Sequence, residues 1–201
     1  MCLLKIEPLT KQCTRCGLPL PSGTFHGCGE CIGEKMPFSK IFSMYPYHQV
    51  KHLVHKLKYE ASTRARAATE ILIERALESI PGLIEACQRV EGVVPMPMHW
   101  ARRLVREFNH SHIIAQALSS VVGKPVLKVL KRTRNSPPQA GLSRRERMIN
   151  VKDSFKALET PPANLLLVDD VATTLSTLKE AARTLKTARV QSVTCIVFAR
   201  A

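Results

Sequence analysis

Four consecutive apolar residues, Leu165-Leu166-Leu167-Val168, run directly into two acids, Asp169 and Asp170, and then into the turn Val171-Ala172-Thr173-Thr174-Leu175-Ser176-Thr177. A short apolar run reads as a buried strand, and the amphipathic stretch from Leu178 to Thr187 reads as a helix, so this segment is a strand, a loop and a helix N-terminus. Such a terminus presents backbone N–H groups and the positive end of the helix dipole, which suits the loop from Thr173 to Thr177 to a phosphate. Two adjacent carboxylates at a strand end need a cation or hydroxyl donors, which a sugar diol or hydrated Mg²⁺ would supply. The plainer alternative is that the acids merely end a core strand and the threonines cap a helix.

The rest of the chain alternates between the same two kinds of element. Met44 to Tyr47 reads as an edge strand, and Val50 to Tyr59 as a helix with Leu53, Val54 and Leu57 on one face. A second helix is expected over Ala65 to Ile80, stopped by Pro81-Gly82, and a short strand over Glu91 to Pro97, followed by a loop with His99, Arg102 and Arg103. Asn109 to Val122 places Ile113, Ile114, Ala117, Leu118 and Val121 on one helical face before Gly123, and Pro125 to Leu130 reads as the next strand. Strands alternating with helices predict an α/β fold, a doubly wound and mostly parallel sheet that binds ligands at the carboxyl ends of its strands. His48, His52 and His55 share a helical face, which without a nearby acid or cysteine reads as solvated rather than metal-binding.

The N-terminal stretch is different in kind. Cys13-x2-Cys16 and Cys28-x2-Cys31 lie eleven residues apart, and Gly17, Gly23, Gly27, Gly29 and Gly33 supply turns, a pattern that predicts a structural Zn²⁺ held by four thiolates. His26 is a variant ligand or a neighbour, whereas Cys2, Cys87 and Cys195 have no paired partner. Residues 1–40 are therefore expected to form a zinc-held unit and residues 41–201 the main domain. With no apolar leader and no run long enough to span a bilayer, the expectation is a soluble, cytoplasmic protein.

Charge is unevenly spread. Between Arg102 and Lys156 thirteen Lys and Arg face three acids, so this stretch carries +10 of the net +14. Its densest part, Lys128 to Arg147, holds the turn-rich Asn135-Ser136-Pro137-Pro138-Gln139-Ala140-Gly141 and the capping box Ser143-x2-Glu146. Such an excess is either a solvated face or the footprint of an anionic partner such as a nucleic acid, and on the second reading Lys131, Arg132, Arg134, Arg144, Arg145 and Arg147 contact its anionic groups. Trp100, Phe108 and Phe155 are the only large rings of the region, so base stacking contributes little.

The acid pair and its turn resemble the phosphoribosyl pyrophosphate (PRPP) motif of type I phosphoribosyltransferases. That resemblance implies that Asp169 and Asp170 meet ribose hydroxyls and that Val171 to Thr177 cradle the 5′-phosphate, with Leu175 standing where the motif has glycine. A leucine held left-handed there costs roughly 1–2 kcal/mol. Leu57-Lys58-Tyr59, Val94-Pro95-Met96-Pro97, Arg106-x-Phe108-Asn109, Gln139 and Arg147-x2-Asn150 extend the likeness across nearly the whole chain, which resembles the ComF/ComFC competence-associated proteins. Glu107 and His110 depart from that family's usual residues. The family likeness implies a four-cysteine zinc finger, a phosphoribosyltransferase-type fold and a role in natural transformation with the DNA-uptake machinery, in which the basic residues from Lys131 to Arg147 named above track the phosphates of single-stranded DNA. Two other readings stay open: an active phosphoribosyltransferase, with Arg102 and Arg103 holding pyrophosphate and Mg²⁺ bridging it to ribose, and a zinc-ribbon adaptor.

Overall fold

A computed structural model describes residues 3–22, 27–59, 62–99, 109–134, 144–158 and 160–201. In chain order its elements are β1 (Lys40–Pro46), α1 (Tyr47–Tyr59), α2 (Thr63–Ser79), α3 (Leu83–Gln88), β2 (Gly92–Pro95), α4 (His110–Val122), β3 (Leu130–Arg132), α5 (Arg144–Val151), β4 (Phe155–Ala157), β5 (Asn164–Ala172), α6 (Ser176–Thr187) and β6 (Ser192–Arg200). The main sheet runs β1-β6-β5-β2, and every neighbouring pair is parallel. Parallel strands need covered faces. Alternation along β5 and β6 sends Leu166, Val168, Ile196 and Phe198 to one face, where Leu53 and Leu57 of α1, Leu72 and Ile73 of α2 and Ile114 and Leu118 of α4 pack. Leu165, Leu167, Cys195 and Val197 face the other way, against Leu178, Ala181 and Leu185 of α6. The doubly wound α/β architecture expected from the sequence is present. Among the described residues, no helix is long and apolar enough to cross a membrane.

Tyr45 shows how the first face tolerates a polar atom. Its ring lies 5.7 Å from that of Phe198, and its hydroxyl donates to the Leu72 carbonyl at 2.6 Å, so the buried oxygen is satisfied.

Four local readings need correction. Pro125 to Leu130 does not form a strand of the sheet: Val126 makes a single parallel bridge to Val93, with Val93 donating to Pro125 and Leu127 to Val93. The chain then leaves, and Leu130–Arg132 pairs antiparallel with Phe155–Ala157 as a separate two-stranded ladder. Proline lacks a donor, and the Leu127 side chain fills the space beside the Gly92 Cα, where an added Cβ would sit 2.3 Å from it. Val121 shares the angular face of Ile114 and Leu118 but is 38% exposed, since it lies in the last turn of α4, two residues before the Gly123 cap. Strand β5 runs on through the acids to Ala172, and α6 opens at Ser176 rather than at Leu178. Helix α3 was not expected; six residues after Pro81-Gly82 give too short a periodicity.

The four-cysteine unit is seated on β1 and the second face. Leu9 donates to Met44 and Ile41 to Thr14, while Gln12 bonds both the N–H and the carbonyl of Ser43, so a side chain stands in for the missing strand partner along the sheet edge. Gly17 sits here with φ 70°, and a Cβ on it would lie 2.3 Å from the Ser43 hydroxyl. Only glycine permits both that backbone and that approach.

Candidate functional site

Strand β5 carries the acid pair to the carboxyl edge of the sheet. Asp169 accepts from the Ser111 hydroxyl at 2.9 Å and from the Asp170 N–H at 3.0 Å, and Asp170 accepts from the Val171 N–H at 2.8 Å. Burial is the largest influence on Asp169, the neighbouring Asp170 charge adds to it, and together they push its carboxyl up to about 8 despite the opposing Ser111 bond. A pair in which one member keeps its proton near neutrality can both donate to and accept from a diol, or surrender that proton to a cation. Ser111, in the first turn of α4, was not identified from the sequence; it lies 58 residues away in a stretch that reads only as a helix start.

Beyond the acids, Thr173 is exposed, Thr174 and Ser176 share a hydroxyl bond of 2.9 Å, and Thr177 lies in the first turn of α6. The helix has neither a side-chain cap bond nor an acid in its first turn, which leaves its positive end to the loop. Leu175 is the N-cap residue with φ 62° and ψ 2°, the left-handed conformation the motif's glycine would adopt. Its side chain is 5% exposed and belongs to the cluster containing Cys13, Cys16, Leu178 and Val197. The added bulk thus packs toward the cysteine unit, and burial offsets the backbone strain. Leu175→Gly relieves roughly 1–2 kcal/mol of strain but forfeits about 2–5 kcal/mol of buried side chain. Urea unfolding is therefore expected to show a net loss of about 1–3 kcal/mol; a gain in stability would mean the side chain contributes nothing there.

The cysteine unit reaches this loop directly. Cys16, Cys31, Glu34 and Met36 line one side of a cavity of about 380 Å³ whose other side is Thr173, Thr174, Leu175, Lys179 and Arg200. Lys179 of α6 is paired with Glu34. Arg200, 8% exposed at the end of β6, donates through Nε to the Cys16 carbonyl at 3.1 Å and through Nη1 to the Ala172 carbonyl at 2.9 Å. One guanidinium thus ties the first knuckle to the end of the acid-bearing strand.

The four thiols predicted as ligands converge. Sγ separations are 3.6 Å for Cys13 and Cys31, 3.4 Å for Cys16 and Cys28, and 3.8 Å for Cys28 and Cys31, with all four atoms within 4.8 Å of one another. A tetrahedral thiolate site with metal–sulfur bonds of about 2.3 Å has edges of about 3.8 Å, so the cluster could hold a metal ion. No other such group of His, Cys, Asp and Glu occurs among the described residues. His48, His52 and His55 are all exposed along α1, as a solvated face would be, and Cys87 and Cys195 are buried in the core.

Of the predicted DNA-contacting residues, Lys131 and Arg132 lie on β3, and Arg134 follows them. Arg132 stacks its guanidinium 5.6 Å from the Phe155 ring centre and donates to the Arg134 carbonyl; Arg134 donates to the Lys152 carbonyl at 3.4 Å. Arg144, Arg145 and Arg147 fall on helix α5, which the capping box foretold. Arg102, Arg103, Trp100, Phe108, His26 and Gln139 lie outside the described residues.

No family model matches the chain. It is 31% identical over 191 residues to the DNA utilization protein YhgH of Salmonella typhimurium, covering 92% of this chain and 82% of the relative. Against competence protein F of Haemophilus influenzae the identity is 28% over 202 residues, covering 94% and 84%. Among solved structures, orotate phosphoribosyltransferase from Aeropyrum pernix aligns with 68% of this chain and 60% of that one, at 19% identity and a TM-score of 0.41. Identity at this level across more than four fifths of the Salmonella protein means that the chain belongs to the family of DNA utilization protein YhgH and competence protein F.

Proposed function

We propose that the chain is a DNA-uptake protein of natural transformation that binds single-stranded DNA along its basic segment and PRPP, or a related phosphoribosyl ligand, at the acid pair. One Zn²⁺ held by Cys13, Cys16, Cys28 and Cys31 is structural, and Mg²⁺ accompanies the phosphoribosyl ligand. Asp169 and Asp170 hold the ribose hydroxyls, the loop from Thr173 to Thr177 takes the 5′-phosphate, and Arg102 and Arg103 meet the pyrophosphate. The protein works on the cytoplasmic side, beside the proteins of the uptake machinery.

The observation that carries the DNA reading is the exposed cationic surface of Lys128, Lys131 and Arg134 beside the ligand edge of the sheet, in a stretch holding most of the net charge. A footprint rich in cations and poor in aromatics binds through phosphates, so affinity falls with salt at about −0.7 log units per log unit for each phosphate neutralised. Four to six contacts predict a slope of roughly −3 to −4 in a fluorescence titration against an oligonucleotide. Lys131→Ala and Arg134→Ala, like Arg144→Ala and Arg145→Ala, are each expected to flatten it by somewhat under one unit and to weaken all sequences alike. Absence of binding at low salt, or equal binding at high salt, would return the segment to a solvated or protein-binding face.

The left-handed backbone at Leu175 favours a second reading, since it keeps the glycine conformation of an enzyme's phosphate loop. Pyrophosphate released rapidly from Mg²⁺–PRPP in the presence of a nucleobase would promote the chain to an active phosphoribosyltransferase.

A further inference from the structure

The basic arm formed by α5 and the β3–β4 ladder stands apart from the main sheet, so its place must be fixed by other contacts. Apolar packing supplies part of the hold: Leu130 and Phe155 enter the cluster of Leu178, Ala181 and Leu185 on α6, and Val151 at the end of α5 is buried. Such packing is non-directional and does not by itself set register. The polar contacts gather at one turn, Lys152 to Ser154, between α5 and β4. There the Ser154 carbonyl accepts from the Thr133 N–H at 2.8 Å, the Lys152 carbonyl accepts from Arg134 at 3.4 Å, and the Asp153 N–H donates to Glu180 Oε1 of α6 at 2.9 Å. Asp153 has φ 55°, a left-handed backbone that is costly for a residue with a Cβ and persists where its surroundings fix it.

Glu180 is 7% exposed, and a carboxylate is rarely that buried unless it is paired. Its Oε1 takes the Asp153 N–H and its Oε2 pairs with Arg183, which is 61% exposed on the same helix. A pair along a helix surface forms without burial, so the inward-facing oxygen is accounted for by Asp153 rather than by Arg183. Glu180 also stands one turn after Ser176, where α6 receives the loop from Thr173, and next to Lys179, which ties the same turn to Glu34 of the cysteine unit. We propose that Glu180 is a positioning residue for strand binding: its hold on the Asp153 N–H keeps Lys131, Arg132 and Arg134 before the turn's partner strand, and Arg144, Arg145 and Arg147 on α5, in fixed places relative to one another and to the phosphate loop. The inference rests on the strand-binding reading above and adds to it the residue that preorganises the arm. Cations already in place meet successive phosphates without the ordering cost a loose arm would bear, so the gain lies in how many phosphates are engaged at once. Through charge alone a carboxylate would act in the opposite sense and repel the strand.

Two variants separate reach from charge. Glu180→Asp keeps the charge and withdraws the acceptor by one methylene, whereas Glu180→Gln removes the charge and keeps an amide oxygen within reach of the Asp153 N–H. Binding to oligothymidylate is read by fluorescence anisotropy across a salt series. Glu180→Asp is expected to bind about tenfold more weakly than wild type at low salt and to flatten the slope by about 0.7–1.4, the loss of one or two phosphates, while Glu180→Gln stays within about twofold with its slope unchanged. Ile114→Val, a core change on the opposite face of the sheet, reports the effect of lost stability alone and should leave the slope where it is. Hydrogen exchange at the Asp153 amide reads the bond itself and should be slow in wild type and Glu180→Gln and fast in Glu180→Asp. A Glu180→Asp protein that binds like wild type, a Glu180→Gln protein that loses as much, or weaker binding without faster exchange at Asp153 would overturn the positioning role and leave strand binding intact. A wild-type chain that binds no strand at low salt would overturn the strand-binding reading itself, and the role of Glu180 with it.

Discussion

Stripping the proposed Zn²⁺ from Cys13, Cys16, Cys28 and Cys31 with a chelator, or replacing Cys16 with Ser, is expected to unfold the N-terminal unit and to weaken the sheet beneath it. Structural zinc contributes apparent binding energies of about 10–16 kcal/mol, comparable to the whole stability of a domain, and a unit of this size has few apolar residues to substitute for it. Burial raises the Cys16 and Cys31 thiols, so without a metal these groups sit protonated in a low-dielectric cluster with no strong partner. The consequence extends beyond the unit because Cys13, Cys16, Cys31, Phe38 and Ile41 share one buried cluster with Leu175, Leu178 and Val197. Losing that cover, together with the Gln12 bonds to Ser43 and the Arg200 bond to Cys16, should cost the remaining domain on the order of 3–5 kcal/mol, a fall in Tm of roughly 6–20 °C. Hydrogen exchange across residues 9–20, β1 and α6, read beside elemental analysis, checks both parts. Zinc-free protein with unchanged protection over residues 9–20 would refute the structural role; protection lost there but retained at β1 and α6 would mean the two parts are energetically independent.

Arg200 is one of the links that carry this coupling. Four thiolates on a divalent ion would leave two negative charges in a poorly solvated place, and a buried guanidinium beside them would be compensated where elsewhere it would be costly. Burial acts to lower the Arg200 pKa, and the charges of Cys16 and Cys28 oppose that shift. Since the same guanidinium bonds the Ala172 carbonyl, Arg200 carries the integrity of the cysteine unit to the turn at Thr173, beside the Glu34–Lys179 pair and the packing of Leu175.

What could be read from the residues alone follows from how local each signal is. The run Leu165 to Val168, the α1 face of Leu53, Val54 and Leu57, and the CxxC pairs each carry their meaning within a few positions, and each appears as expected. Pro125 to Leu130 has the composition of a strand, but its place was decided by Leu127 packing over Gly92, 35 positions away, which no periodicity encodes. Ser111 and Arg200 were missed for the same reason. A serine at a helix start reads as a cap, and an arginine near the end of a strand reads as a solvated tip; only tertiary packing turns one toward Asp169 and the other under the knuckle at Cys16. The left-handed bend at Leu175 was foreseeable as strain through the motif, yet the compensating burial depends on a unit some 150 residues earlier in the chain.

The acid pair should make the protein less stable as pH rises through neutrality. Asp169 has a folded-state pKa of about 8 against about 4 when unfolded, so between those values the folded chain holds a proton that the unfolded chain has released. The slope of unfolding free energy with pH has the sign of protons bound unfolded minus folded, which is negative here; this contribution is present below about pH 4 and is lost progressively up to about pH 8. Four pH units would correspond to about 5 kcal/mol at most, and because Asp169 keeps some exposure the expected loss is nearer 1–3 kcal/mol. Asp169→Asn retains acceptors for the Ser111 hydroxyl and the Asp170 N–H while removing the charge. Its urea midpoint should therefore match wild type near pH 4 and exceed it at pH 9. A ligand that brings hydroxyl donors or Mg²⁺ to the pair favours the doubly ionised form, so binding of Mg²⁺–PRPP at pH 7 should release protons, seen by calorimetry as a heat that depends on the ionisation enthalpy of the buffer. Wild type and Asp169→Asn curves that stay parallel from pH 4 to 9 would mean that both carboxylates are already ionised at neutral pH, and the pair would then need a permanently bound cation to exist at all.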